Sequence, residues 1–225
     1  MKAGKISELT TNRLSIYLRC LTLLADEDIK TVSSAALAKR FHLNSAQIRK
    51  DLAYFGEFGV RGVGYDVDAL RDHLIKILGL GRTHRVGIIG AGRLGSALTN
   101  YYGGDRSTFE VAALFDVDPL KIGERIEGVE IFDAKHFPSI AKRDNIEVAV
   151  IAVPAEAAQD VFEQVTAAGI RAVMNFAPIP LKTIGDVKLK TVDLTTSLEG
   201  LAYHLSGAAS LNGNNPEPGP TGRRN

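Results

Sequence analysis

Cysteine is nearly absent: Cys20 is the only one in 225 residues, which excludes a disulfide within the chain and any Cys-based metal site. That scarcity agrees with a reducing, cytoplasmic setting. No apolar run approaches the length of a membrane span, and the N-terminus lacks the charged-then-apolar layout of a signal peptide, so no membrane partner is expected. No internal repeat is present. Histidine is scarce as well, with five in the chain. His42, His73 and His84 fall in the front part or the linker, while His136 and His204 read better as surface or packing residues than as catalysts. No catalytic and no metal-binding set is expected.

Net charge is close to zero, at +1, yet the balance hides an asymmetry. Residues 1–82 carry 13 Lys/Arg against 9 Asp/Glu, and residues 83–207 carry 12 against 16, so the front is +4 and the middle −4. The split suggests two domains with different partners, that of the basic front domain being anionic. The excess is too small to name DNA by itself.

What is abundant is glycine in one informative place. His84-Arg85-Val86-Gly87-Ile88-Ile89 is an apolar run of strand type, and it enters Gly90-Ala91-Gly92-Arg93-Leu94-Gly95 before a helix-compatible segment. The spacing Gly-x-Gly-x-x-Gly gives each glycine a job. Gly90 permits the tight turn, Gly92 lets backbone approach a pyrophosphate, and Gly95 lets helix and strand pack closely. Phosphates would sit on the free N–H groups of the new helix. A second run, Phe109 to Phe115, ends at Asp116, where an acid can bond a ribose 2′-hydroxyl and repel a 2′-phosphate, favouring NAD(H) over NADP(H). The competing reading of Asp116 is a loop cap ahead of Asp118-Pro119.

In the front part, apolar residues at helical spacing predict a helix over residues 7–26, and Ser33 or Ser34 caps a second over residues 35–40. Asn44 caps a third, residues 45–55, with Gln47 completing a capping-box pattern. This helix buries Ile48, Leu52 and Phe55 and offers Ser45, Gln47, Arg49 and Lys50 on its other face, which is helix-turn-helix layout. Arg49 and Lys50 are candidates for base-edge and phosphate contacts, and Ser45 and Gln47 for positioning or readout. The glycine-rich stretch from Gly56 to Tyr65 suits a β-hairpin wing with Arg61 at its tip, although a solvated loop arginine is the favoured reading of Arg61 taken alone. Asp66 caps a fourth helix over residues 67–78.

Behind the linker the pattern alternates as a parallel doubly wound sheet does. Strands are expected near 85–89, 109–115, 129–132, 147–153, 170–174 and 189–193, and helices near 93–102, 119–124, 134–142, 155–168 and 180–185, with a last helix from about Thr195 to Gly207. Val153, Pro154, Phe176, Ala177 and Pro178 follow strands, at the carboxyl edge where an apolar nicotinamide pocket forms. The expected fold is therefore α/β: a winged-helix domain over residues 1–82 and a Rossmann-like NAD(H)-binding domain over 83–194. A C-terminal helix over 195–208 and a disordered tail over 209–225 complete it.

Four segments together resemble the redox-sensing transcriptional repressor family, Rex. They are Ala46 to Leu52, the wing Tyr54 to Tyr65, the glycine turn Gly90 to Leu98, and Asn175-Phe176-Ala177-Pro178. The resemblance covers residues from about Leu14 to Leu205. It implies a homodimer with an exchanged C-terminal helix, bound to a palindromic operator and released when NADH binds. It also suggests a latch in which Arg19, Tyr101 and Asp193 exchange partners with redox state, where a plain structural salt bridge is the alternative. The Rossmann-like unit runs almost straight to the end, which argues against an enzyme, since one of this type normally needs a second domain for substrate and an acid/base residue beside the nicotinamide. Two rival readings stay open: a helix-turn-helix regulator sensing another nucleotide such as coenzyme A, and a small NAD-dependent oxidoreductase.

Overall fold

A computed structural model describes residues 6–60, 62–102 and 108–205. The chain divides into two compact units, Met1–Thr83 and His84–Asn225.

The first unit contains helices α1 (Glu8–Asp26), α2 (Ser34–Phe41), α3 (Ser45–Phe55) and α4 (Val67–Ile77), with strands β1 (Thr31–Val32), β2 (Gly59–Val60) and β3 (Gly64–Asp66). Each helix starts where a short polar side chain can take a free amide: Ser7 accepts from Thr10, Ser33 from Ala36, Asn44 from Ala46 and Gln47, and Asp66 from Ala69. Leu14, Tyr17, Leu21 and Leu24 recur along one face of α1 and are buried with Leu37, Ile48, Leu52, Leu70 and Leu74. The hairpin β2–β3 is the expected wing, and β3 also pairs antiparallel with β1, a strand too short to show in the sequence. Arg61 lies outside the described residues. Two details differ from expectation. The Gln47 side chain turns forward to Asp51 rather than back to the cap, and Phe55 is only half-buried while Asp51 is buried.

The second unit is a seven-stranded sheet in the order β10-β9-β8-β4-β5-β7-β6. Its strands are β4 (His84–Ile89), β5 (Phe109–Asp116), β6 (Arg125–Ile126), β7 (Val129–Asp133), β8 (Val148–Ile151), β9 (Ala172–Asn175) and β10 (Lys188–Thr191). All pair in parallel except β6, an antiparallel edge on β7 that the sequence did not suggest. Alternate residues feed opposite faces: Val86, Ile88 and Leu114 pack on one side, and Ile89, Ala113 and Phe115 on the other. Helix α5 (Arg93–Tyr102) follows β4, α6 (Phe137–Arg143) follows β7 after a single 3-10 turn, α7 (Ala155–Ala167) follows β8, and α8 (Leu194–Leu205) closes the described chain.

Two expected helices do not form. Residues 119–124 make a turn in which Lys121 and Ile122 bond to the Asp118 carbonyl, because Pro119 and Gly123 leave too few residues for helix propagation. Residues 180–185 stay irregular between Pro178, Pro180 and Gly185. The tail beyond residue 205 lies outside the described residues. No described helix is long and apolar enough to cross a membrane.

Candidate functional site

The sheet order reverses at β4, which has β5 on one side and β8 on the other, so a crevice opens beyond its carboxyl end. The glycine turn occupies that point. Gly90 has φ +102°, and a Cβ there would stand 2.4 Å from the Ala152 carbonyl oxygen and 3.2 Å from a methyl of Val153. The turn is thus pressed against the end of β8, and no larger residue fits. At Gly95 a Cβ would stand 2.0 Å from the Gly90 carbonyl oxygen, so α5 approaches the turn as closely as backbone allows. A Cβ on Gly92 would meet nothing within 4 Å, leaving open backbone at the start of α5. Arg93 and Leu94 form the exposed first turn of that helix. A cradle that is closed behind and open in front, at a helix N-terminus, fits a pyrophosphate.

Asp116 ends β5 beside the glycine turn, where it acts as the loop cap. Its Oδ2 accepts from the Ala91 amide at 2.9 Å, tying it to the glycine loop, while Oδ1 accepts from the amides of Val117 and Asp118 as a loop cap. Lys121 Nζ lies 3.0 Å from Oδ2, a partner the sequence reading missed. Burial pushes the Asp116 carboxyl up, but the Asp118 amide and Lys121 outweigh it and hold the group below its ordinary value. The pair is close to neutral, so repulsion of a 2′-phosphate is weaker than a bare carboxylate would give.

Val153 is half-buried, Pro154 exposed at the start of α7, and Phe176 half-buried against the β4–β5 side of the core. Ala177 is packed in the core, backbone included, so it backs the expected pocket instead of lining it, whereas Pro178 is exposed. This loop is held by Asn175, which is buried. Its amide donates to the carbonyls of Ala177 and Ile179 and its oxygen accepts from the Ala177 amide. The side chain thus satisfies carbonyls that precede Pro178 and Pro180, residues with no amide hydrogen of their own.

Of the proposed latch, Arg19 is exposed on α1, and Tyr101, 79% exposed, sits edge-on to Tyr102. Asp193 caps α8, accepting from the amides of Thr195 and Thr196 and from the Thr196 hydroxyl. Tyr101 and Asp193 share no hydrogen bond among the described residues. No group of His, Cys, Asp or Glu among those residues is placed to hold a metal ion.

On the first unit, Lys50 is exposed on α3, and Arg49, also exposed, donates to the Ser34 hydroxyl at 3.0 Å. Ser45 is half-buried in the first turn. Gln47 donates to Asp51 at 2.7 Å, and Asp51 is in turn gripped by Arg13 and Tyr17. The signal for Asp51 was its position three residues after Ile48, on the buried face.

A winged helix-turn-helix head followed by a doubly wound domain with a nucleotide cradle is the build of a ligand-responsive DNA-binding regulator. Residues 5–53 match the family described as putative DNA-binding protein N-terminus, and residues 82–179 match the CoA binding domain family. The chain is 46% identical over 205 residues to the redox-sensing transcriptional repressor Rex of Carboxydothermus hydrogenoformans, covering 91% of this chain and 99% of that protein. It is 48% identical to the protein of that name from Syntrophomonas wolfei, covering 92% and 98%. Its fold matches a crystal structure of RSP in complex with beta-NAD+ and operator DNA at TM-score 0.88 and 36% identity, covering 95% of this chain and 100% of the other. A second RSP structure, in complex with beta-NADH, matches at TM-score 0.81 and 35% identity, covering 93% and 98%. The chain belongs to the redox-sensing transcriptional repressor family Rex.

Proposed function

We propose that this chain is a cytoplasmic, non-enzymatic repressor that binds a palindromic operator as a homodimer and lets go when NADH occupies its nucleotide domain. The observation that carries this is the glycine cradle, closed behind Gly90 and Gly95 and open over Gly92, in a chain that also carries a capped reading helix. Gly90 to Gly95 would hold the pyrophosphate, and Asp116 with Lys121 the adenosine ribose. NAD+ and NADH differ by one hydride, so the bound ring is either a cation or neutral. Val153, Pro154, Phe176 and Pro178, with Ala177 packed behind them, would exclude water from that ring, which penalises the cationic form more. Arg49 and Lys50 would meet base edges or phosphates, with Ser45 and Gln47 positioning the helix and Arg61 reaching a minor groove or a phosphate.

Helix α8 supports the pairing. None of its residues is buried, and Leu194, Leu198, Leu201, Tyr203 and Leu205 are all exposed, an unfavourable surface unless a second copy covers it. A pair of reading helices enters successive major grooves when they stand roughly 34–36 Å apart. Switching that arrangement almost completely takes a preference on the order of 5 kcal/mol for one state. Arg19, Tyr101 and Asp193 are the groups proposed to carry it, with Asp193 exchanging its capping role for an arginine partner.

The match of residues 82–179 to a coenzyme A binding family favours a second reading, in which the ligand is coenzyme A. A titration of protein on palindromic DNA against NADH, NAD+ and coenzyme A separates them. Release by NADH alone supports the first reading, release by coenzyme A alone replaces it with the second, and no DNA binding at all overturns both.

A further inference from the structure

Helix α3 is seated on the rest of its domain by Ile48 and Leu52, both fully buried. Apolar contact of that kind holds a helix down but has no direction, and leaves rotation about the axis weakly fixed. Between these two residues stands Asp51, 4% exposed, a charge in an otherwise apolar seat. Its carboxylate accepts four directed bonds: from Arg13 Nε at 2.6 Å and Arg13 Nη2 at 2.8 Å, from the Tyr17 hydroxyl at 2.9 Å, and from Gln47 Nε2 at 2.7 Å. Arg13 and Tyr17 are four residues apart on α1, so both donors project from one ridge of that helix. The arginine engages both carboxylate oxygens as a planar fork, which specifies orientation as well as distance.

Stability alone is a weak reason for such a group. Buried ion pairs are commonly matched or bettered by well-packed apolar residues of the same volume. What an apolar replacement lacks is direction, and direction is what a reading helix needs.

We propose that Asp51 is a positioning residue for operator recognition: clamped by Arg13 and Tyr17, it fixes the rotation of α3 and so which of its side chains face DNA. The inference rests on the DNA-reading role given to α3 above. It also assigns Gln47 to the clamp. The Gln47 amide is held by Asp51, so it is not offered to an adenine edge, and base reading falls to the exposed Arg49 and Lys50.

Asp51→Asn separates positioning from charge, because the two predict opposite signs. Removing a negative charge from the DNA-binding head strengthens attraction to any duplex. Loss of the clamp instead weakens operator binding, roughly tenfold or more for one broken charge-assisted fork, while affinity for random duplex holds or rises. Fluorescence anisotropy with operator and random duplexes of equal length, across a salt series, reads both. Wild type that binds no palindrome sinks the repressor reading and this inference with it. Wild type that binds, with Asp51→Asn equal to it or tighter on operator, sinks this inference alone. Arg13→Lys keeps the charge and the overall fold but breaks the fork, so its operator affinity should fall several-fold, and unchanged affinity overturns the clamp. Gln47→Ala, tested on operators altered one base pair at a time, should lose affinity evenly. A preference lost at one position only makes Gln47 a reader and overturns its place in the clamp.

Discussion

Gly92 and Gly95 stand three residues apart in one turn, yet replacing each by alanine should fail in different ways. At Gly92 the added methyl meets nothing within 4 Å and the backbone φ is not in the left-handed region, so the free protein accommodates it. Stability should hold or rise by about 0.4–1 kcal/mol, because alanine restricts the unfolded chain. If the pyrophosphate lies over this residue, the methyl occupies its space and breaks amide–phosphate bonds worth about 1.5–3 kcal/mol each, which is roughly 10- to 150-fold in NADH affinity per bond. At Gly95 two effects compete. Alanine is the better helix former by about 1 kcal/mol. Its Cβ, however, would sit 2.0 Å from the Gly90 carbonyl oxygen, a backbone atom that cannot swing aside. The first turn of α5 must withdraw by about 1 Å, an overpacking cost of about 1–3 kcal/mol that outweighs the propensity gain. Gly95→Ala should therefore lose stability and cofactor affinity together, whereas Gly92→Ala loses affinity alone. NADH fluorescence titration and urea unfolding of the two variants measure this. Gly92→Ala that binds NADH as wild type does would refute the placement of the phosphates.

Three further outcomes are expected. Asp193→Ala removes both the proposed latch and the cap of α8, at a cost of about 1 kcal/mol for the cap, whereas Asp193→Asn keeps a capping side chain and drops only the charge. Operator complexes of Asp193→Asn should persist at NADH levels that release wild type, and normal release in a gel shift would reduce Asp193 to a cap. Leu198→Glu, on the uncovered face of α8, should convert a dimer to monomer by light scattering with the second domain still folded, and an unchanged mass would remove α8 from the interface. Acid should destabilise the first domain. Arg13 holds the Asp51 carboxyl below its ordinary value, so its contribution is present above about pH 4, the unfolded value, and is lost as pH falls through the folded one. Urea midpoints of wild type between pH 6 and 3 should drop more than those of Asp51→Asn, and parallel curves would contradict the assignment.

Much of the architecture was legible because its signals are local and redundant. Helix α3 begins and ends where Asn44 and Gly56 bracket an apolar spacing, and β4 with its glycine turn carries three constraints in twelve residues. The failures were of two kinds. Strands β1 and β6 are two residues each and exist only through partners elsewhere in the chain, so no periodicity could announce them. The segment 119–124 has helix-compatible residues but too short a span between Pro119 and Gly123 to repay nucleation. Within the sites, Asp51 and Lys121 went unnoticed because a charged residue on a helix or turn usually faces solvent. Their roles come from Arg13, 38 residues away, and from Asp116, across a turn.

The carboxylate that closes β5 is already saturated: two amides on one oxygen, an amide and an ammonium on the other. A sugar hydroxyl arriving there must trade places with an existing donor instead of filling a free lone pair, so that contact adds little net grip. If the ribose binds there as proposed, the contact would serve to sort carriers, through a carboxylate salt-bridged to a lysine arm. Selection against phosphorylated carriers should accordingly sharpen when that arm is cut back at Lys121, leaving the acid alone to refuse them.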